Sequence, residues 1–570
     1  MCGIWSLIRL RKKNLDVVKL FQDFMNLKHR GPDNSYFETY NNVTVGFHRL
    51  AIMDDTFSSN QPFILEDENR TVVFICNGEI WNYKEIIEEF DLSSEIKNDC
   101  QVVAEVYWDM LKHGTEETFP KFIEDSVKGE FAFCLFEFDK LKNLRKVIVG
   151  KDEIGIRPLY YIPRKRFGDY GDVLFFASEI KGGLSLDEEL TEFPPGFVFT
   201  YKLDEIGNVT HHPYNFSSVY DTRASGCIAE VALKGVQTAV MNSVRRRLCS
   251  DKPLAFLLSG GVDSSLVAGI SAKILGKPIR TFCCSISDDG TPQGTDMKYA
   301  RIVAEHIGST HTEVLFTTKE ALAAIPDVIR TIESWDTTTV RASVAQYMVC
   351  KHIGEKTDCR VVMVGETADE VCSSYLFNWY APDGKTLDTC SKDYVRNVHY
   401  YDVKRADRCI ARWGMEGRVP LSDPEFIKAY WSIPGEMRMP TYKKMEKWWL
   451  REAFNGTNVI PNEVLFRRKE TFSDGISSKE KSWFQIIQEW VEDKVTDEEL
   501  AGAAMKYPYC TPVTKEAYYY RRTFCDIFGE KQQKIIPGYW MNKWDKDGKE
   551  LTEYMDPSAR ILSVYNDNKS

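Results

Sequence analysis

The 570-residue chain lacks most of the patterns that announce membrane, disulfide, zinc or nucleic-acid chemistry. It has no run approaching twenty uncharged apolar residues, the length that crosses a bilayer, and no cleavable secretory pattern at its start. Neither membrane insertion nor export is expected, and the protein is expected to be cytoplasmic. Its fifteen cysteines include no CxxC pair and its nine histidines no HExxH spacing, so both read as ordinary residues of a reduced protein. An excess of positive charge is missing too. With 73 Lys+Arg against 84 Asp+Glu the net charge is -11, which disfavours nucleic acid or an anionic membrane as the main partner. There is no internal repeat, no low-complexity linker and no GxxxxGKS/T loop, and the last absence disfavours kinase-type transfer of a terminal phosphate. What is there is 43% hydrophobic and 28% charged, the make-up of a soluble globular enzyme, at a length of about two to four domains.

The most informative stretch runs from Leu254 to Ser265, LAFLLSGGVDSS. Leu254 to Leu258 is a short unbroken apolar run, as in a strand covered on both faces, and from Ser264 the apolar residues take helical spacing. Backbone N–H groups at a helix start, approached closely through Gly260 and Gly261, suit a phosphate or pyrophosphate. Asp263 beside phosphate oxygens calls for a cation between them, so the loop implies magnesium as well as phosphate; the same residues also fit a plain turn with a helix cap. SGGVDSS resembles the pyrophosphate loop of the ATP pyrophosphatase superfamily, whose members adenylate a carboxylate or carbonyl.

Cys2 is the second informative place. Removal of Met1 would leave Cys2 with a thiol and an α-amine that titrates near ~7.7–8.0, so that one residue supplies nucleophile and proton acceptor. Downstream come His29-Arg30-Gly31-Pro32-Asp33, Gly46-Phe47-His48-Arg49-Leu50, Cys76-Asn77-Gly78-Glu79-Ile80 and Gly150-Lys151-Asp152. In this order they resemble the class II glutamine amidotransferase domain, an N-terminal nucleophile hydrolase. The resemblance makes Cys2 the nucleophile, the Asn77 amide and Gly78 N–H the oxyanion donors, and Arg49, Asn77, Glu79 and Asp99 the contacts to glutamine. Taken singly, Asn77-Gly78 also fits a turn and Asp99 a cap for a helix from Cys100 to Met110.

The second half alternates strands and helices. Arg280 to Ile286 and Arg360 to Val364 read as strands, and Ile325, Val328, Ile329, Ile332 and Trp335 share one helical face. GETADE follows the second of these strands as SGGVDSS follows Leu254–Leu258, so both loops are expected at the carboxyl ends of parallel strands, facing one site. Glu366, Asp369 and Glu370 would add carboxylates there, although Thr367 to Glu370 also fits a capping box. ESWDTTTVRAS from Glu333, RADR from Arg405, KMEKWWLRE from Lys444, RRKETFSDGI from Arg467 and PYCTPVTKEAYYYR from Pro508 complete an end-to-end resemblance to the glutamine-dependent asparagine synthetase family.

That resemblance implies an α/β multidomain chain: an N-terminal αββα sandwich over residues 1–205, then a doubly wound parallel-sheet ATP pyrophosphatase domain with a helical C-terminal part over residues 206–570. It implies glutamine, aspartate and ATP as substrates, magnesium, no nucleic-acid or membrane partner, a homodimer as the candidate assembly, and an internal passage for ammonia. Leu257, Ser259, Gly260, Gly261, Ser264, Ser265, Cys284, Gly365 and Lys469 would contact ATP or pyrophosphate, with Asp263 and Asp369 acting through magnesium. Glu366 would be the base, and Thr338, Thr339 and Arg341 would position the aspartyl adenylate. Most relatives read SGEGSDE where this chain has Val364 to Glu370, so Val364, Thr367 and Ala368 predict weaker nucleotide binding with synthesis retained. Another adenylating amidoligase of the same architecture, or a relic confined to nucleotide binding or glutamine hydrolysis, would share the outline.

Overall fold

The computed structural model describes residues 1–11, 15–163, 171–204, 208–467, 475–477 and 481–558. They form two compact units, one of Met1–Ser218 with Ser250–Lys252 and Gly414–Glu416, the other of the remainder.

The first unit holds two six-stranded antiparallel sheets. Its strands are β1 (Gly3–Arg9), β2 (Asn34–Tyr40), β3 (Val43–Arg49), β4 (Phe63–Glu66), β5 (Arg70–Ile80), β6 (Gly129–Asp139), β7 (Leu144–Lys151), β8 (Tyr160–Tyr161), β9 (Val173–Ala177), β10 (Thr191–Glu192), β11 (Phe197–Leu203) and β12 (Val209–Asn215). One sheet has the order β10-β8-β9-β1-β3-β2 and the other β12-β11-β7-β6-β5-β4. The two-residue period of a strand explains why β5 and β6 read as continuous apolar runs. Val73, Ile75, Cys134 and Phe136 face Ile4, Ile8, Val43 and Val45 of the other sheet. Val72, Phe74, Phe133 and Leu135 face outward under Val103 and Tyr107 and under Phe119 and Phe122. Those four belong to helices Gln101–His113 and Phe119–Ser126. The first sheet is covered by α1 (Val17–Met25), whose Phe24 ring lies 4.9 Å from Phe37 and 6.4 Å from Trp5. The four layers are those of the αββα sandwich.

The second unit is built on β13 (Leu254–Leu257), β14 (Arg280–Ile286), β15 (Thr310–Phe316), β16 (Val361–Met363) and β17 (Glu416–Arg418, of which Gly417 and Arg418 belong to this unit), in the order β15-β14-β13-β16-β17. The first four strands pair in parallel. The chain steps outward from β13 to β15 through α2 (Val262–Leu275) and α3 (Asp296–His306), then returns through α4 (Thr318–Ile332) and α5 (Thr337–Lys356) to place β16 on the other side of β13. Right-handed crossovers in opposite directions put the two helix pairs on opposite faces, the doubly wound arrangement. The direction of winding reverses between β13 and β16, so the crevice beyond their carboxyl ends is the topological switch point where ligands of such sheets bind. The predicted face of α4 is fully buried, and Trp335 joins it from beyond the helix end. Tyr518 and Tyr520 are buried, whereas Tyr519 between them is half-buried.

Candidate functional site

In the first unit Cys2 sits at the start of β1, between the sheets. Its N–H donates to Asn77 Oδ1 at 2.9 Å, Arg30 Nε donates to its carbonyl at 3.0 Å, and its Sγ lies 3.5 Å from the Leu50 N–H. The nitrogen that would become the α-amine is thus already fixed beside the thiol. Burial pushes the Cys2 thiol up to about 11, so it is protonated at neutral pH and needs a base before it can attack. The Asn77 Nδ2 is buried with no hydrogen-bond partner. A fixed, unspent donor beside a nucleophile is what a developing oxyanion requires.

Glu79 lies two residues along β5 from Asn77, on the same face of the strand, and is buried. Asp99 does not cap the following helix, which starts at Gln101 without a side-chain cap; its Oδ2 instead accepts the Ile80 N–H at 2.6 Å. Arg49 is held by the Thr56 carbonyl at 3.0 Å, by Asn60 Oδ1 at 2.7 Å and by the Asp54 carbonyl. The oxygens of one loop thereby fix where its charge stands.

In the second unit the two predicted loops meet at the switch point. Leu257, Ser259, Gly261, Asp263, Ser264, Cys284, Gly365, Glu366 and Asp369 line one cavity. The loop after β13 is closed by Ser259 Oγ, which accepts the Gly261 N–H at 3.2 Å and lies 3.0 Å from Ser264 Oγ. Gly260 is at φ +71°, and a Cβ there would meet the Ala300 nitrogen at 2.6 Å, so only glycine fits. Gly260 and Ser265 support the loop without lining the cavity; Ser265 is fully buried.

Glu366 accepts from Gln346 Nε2 at 2.9 Å and from Arg405 Nη1 at 3.2 Å. Burial nevertheless raises its carboxyl, with Arg405 opposing the shift. Glu370 has Oε1 on the Tyr375 hydroxyl at 2.7 Å and Oε2 buried without a partner, and burial next to Asp402 and Asp369 holds it well above the usual carboxylate range. No capping box forms at Thr367, whose side chain makes no cap hydrogen bond. It adopts φ +76°, a left-handed conformation strained for a β-branched residue, and its hydroxyl pairs with Ser422 Oγ at 2.5 Å.

The sequence reading missed Lys447. Its ammonium lies 2.7 Å from Asp369 Oδ1 and also contacts Asp263 Oδ2, bridging the two aspartates assigned to magnesium. Asp263 Oδ1 is buried without a partner. Among the described residues no group of three or more His, Cys, Asp and Glu could hold a metal. Two carboxylates at the mouth of a phosphate loop still fit magnesium, which takes few protein ligands and completes its shell with phosphates and water.

Three predicted residues are not brought to this cavity. Thr339 takes its N–H and hydroxyl to Asp336, and Thr338 Oγ1 is buried without a partner. Arg341 is engaged by Glu516 at 2.6 and 2.8 Å and by Asp556 at 2.8 and 2.9 Å, which satisfies its fork. The cavity is lined by Arg405, Lys447, Arg451 and Arg467 instead. Lys469 lies outside the described residues.

Comparison with known proteins accounts for both halves. The glutamine amidotransferase domain model matches residues 1–206, and the asparagine synthase model matches residues 235–390 and 385–551. Proteins named asparagine synthetase (glutamine-hydrolyzing) from Homo sapiens and Pongo abelii are each 37% identical to this chain, covering 99% of it and 99% of themselves. The protein of that name from Gallus gallus is 36% identical over the same shares. With more than a third of positions shared from end to end and both domain models matched in order, the chain belongs to the glutamine-hydrolysing asparagine synthetase family.

Proposed function

We propose that this protein makes asparagine from aspartate, driven by ATP, with glutamine as the nitrogen donor. In the first unit, with Met1 removed, the α-amine of Cys2 takes the thiol proton. The sulfur adds to the side-chain amide carbon of glutamine, and Asn77 Nδ2 with the Gly78 N–H receive the oxyanion. Collapse expels ammonia and leaves a thioester, which water hydrolyses to glutamate. Asp99 is the anion for the glutamine ammonium group and Arg49 the cation for its carboxylate.

In the second unit the side-chain carboxylate of aspartate attacks the α-phosphorus of ATP, forming a β-aspartyl adenylate and releasing pyrophosphate. The loop from Ser259 to Ser265 holds the departing phosphates by backbone N–H groups and hydroxyls. Asp263 and Asp369 hold magnesium, which neutralises phosphate charge when bound. Ammonia then attacks the adenylate carbonyl, Glu366 takes its proton, and AMP leaves. The raised Glu366 carboxyl suits this, because its carboxylate is a stronger base and draws the proton from the attacking ammonia more readily.

The observation that carries this reading is the meeting of the two loops, which puts Asp263, Asp369 and Glu366 around one cavity at the switch point. Pyrophosphate release with ATP, magnesium and aspartate, compared between glutamine and ammonium chloride, tests it. Asparagine from both nitrogen sources is expected; no aspartate-dependent pyrophosphate from either would overturn the reading.

A further inference from the structure

Lys447 is presented by a turn built to hold it. Lys444 and Lys447, at the turn's two ends, have φ of +54° and +56°, a conformation that non-glycine residues adopt only when their surroundings enforce it. The enforcement comes through Glu446, whose Oε1 accepts from Trp379 Nε1 at 2.8 Å and whose carbonyl accepts from Arg451 Nε at 2.8 Å. The lysine side chain is 2% exposed and its ammonium lies between Asp263 and Asp369, which are 184 and 78 residues earlier in the chain. Those are the two carboxylates that the proposed function gives to magnesium. A divalent ion and an ammonium of this position cannot both occupy the space between them.

We propose that Lys447 is the exchangeable cation of this site. Its ammonium holds Asp263 and Asp369 together, and a metal arriving with the nucleotide takes over the carboxylates and turns the ammonium onto phosphate oxygens. The exchange conserves favourable pairing. Before it, one positive charge serves two carboxylates; after it, the divalent ion neutralises both and the lysine is free to offset phosphate charge. Metal without nucleotide gains less, since it must evict the ammonium with no new anion to receive it. The site therefore favours metal and phosphate together over either alone. The inference rests on the reading of Asp263 and Asp369 as the magnesium ligands.

The test compares the full chain with Lys447→Met, which keeps the side-chain length and removes the charge. Mn2+ is titrated alone and then with a non-hydrolysable ATP analogue, free ion being followed by electron paramagnetic resonance. Magnesium pyrophosphate binding is followed by calorimetry. Lys447→Met is expected to bind Mn2+ alone about tenfold more tightly than wild type and magnesium pyrophosphate about tenfold more weakly. Lys447→Arg, which keeps the charge, is expected to bind Mn2+ alone as weakly as wild type. If Lys447→Met melts lower, its melting temperature is expected to rise with Mn2+ by more than that of wild type. Unchanged or weaker binding of Mn2+ alone by a folded Lys447→Met overturns the exchange. Failure of wild type to bind Mn2+ even with the analogue overturns the metal assignment beneath it.

Discussion

A first side-chain carbon on Gly365 would stand 2.7 Å from the backbone nitrogen of Ser264, so the loop after β16 and the loop after β13 touch through bare backbone. That contact sets how far Glu366 and Asp369 lie from Asp263. Gly365→Ala is expected to push the loops apart, at about 1–3 kcal/mol of stability as for other forced overpacking. Pyrophosphate release should fall steeply while glutamine hydrolysis at Cys2 continues; parallel assays of the two reactions check this.

Asn77→Ala removes both the acceptor of the Cys2 N–H and the unpartnered Nδ2 donor. Glutamine hydrolysis is expected to drop about 10²–10³-fold in kcat, the usual effect of losing one oxyanion donor. Asparagine formation from ammonium chloride should stay near wild type. A similar loss with both nitrogen sources would show that Asn77 acts on the fold rather than on the oxyanion.

Glu366 must be ionised to accept a proton, and burial raises its carboxyl above the 4.5 of an unperturbed glutamate. As pH falls through that raised value the base is protonated and ammonia-dependent synthesis is lost, so the acid limb of the kcat profile should lie above 4.5. Glu366→Gln keeps an acceptor for Gln346 and Arg405 and removes the base. It is expected to flatten that limb and lower kcat, which a pH series on both proteins measures.

Thr367 combines a left-handed backbone with a buried hydroxyl paired to Ser422. Thr367→Val keeps the strain and leaves Ser422 without that partner, so it should lose about 1–2 kcal/mol of stability. Thr367→Gly removes strain of about 1 kcal/mol or more along with the hydroxyl. It is expected to melt close to wild type and well above Thr367→Val, as thermal denaturation of the three proteins shows.

The parts of the molecule legible in the sequence are those written locally. Leu254 to Ser265 carries its strand, turn and helix in adjacent residues, and the structure places them within a residue or two of the reading. Around Phe74 and Phe133 the sequence is almost continuously apolar because alternate residues meet different layers, one set the other sheet and one set the helices. Lys447 was not legible. It reaches Asp263 across 184 residues, and its own neighbourhood reads as an ordinary basic and aromatic helix start. Arg341 shows the same limit from the other side. Its position in DTTTVRAS points to substrate, yet Glu516, 175 residues on, claims its guanidinium. Such long-range pairings have no local pattern, so they appear only once the chain is folded.

Aspartate labelled with 18O in its side-chain carboxylate tests the central claim most directly. If that carboxylate attacks the α-phosphorus and ammonia then displaces AMP, one labelled oxygen must leave with AMP and none with pyrophosphate. One labelled oxygen in AMP, the other kept in the asparagine amide and none in pyrophosphate is the predicted result. Label in inorganic phosphate or pyrophosphate, or asparagine formed with unlabelled AMP, would contradict the account.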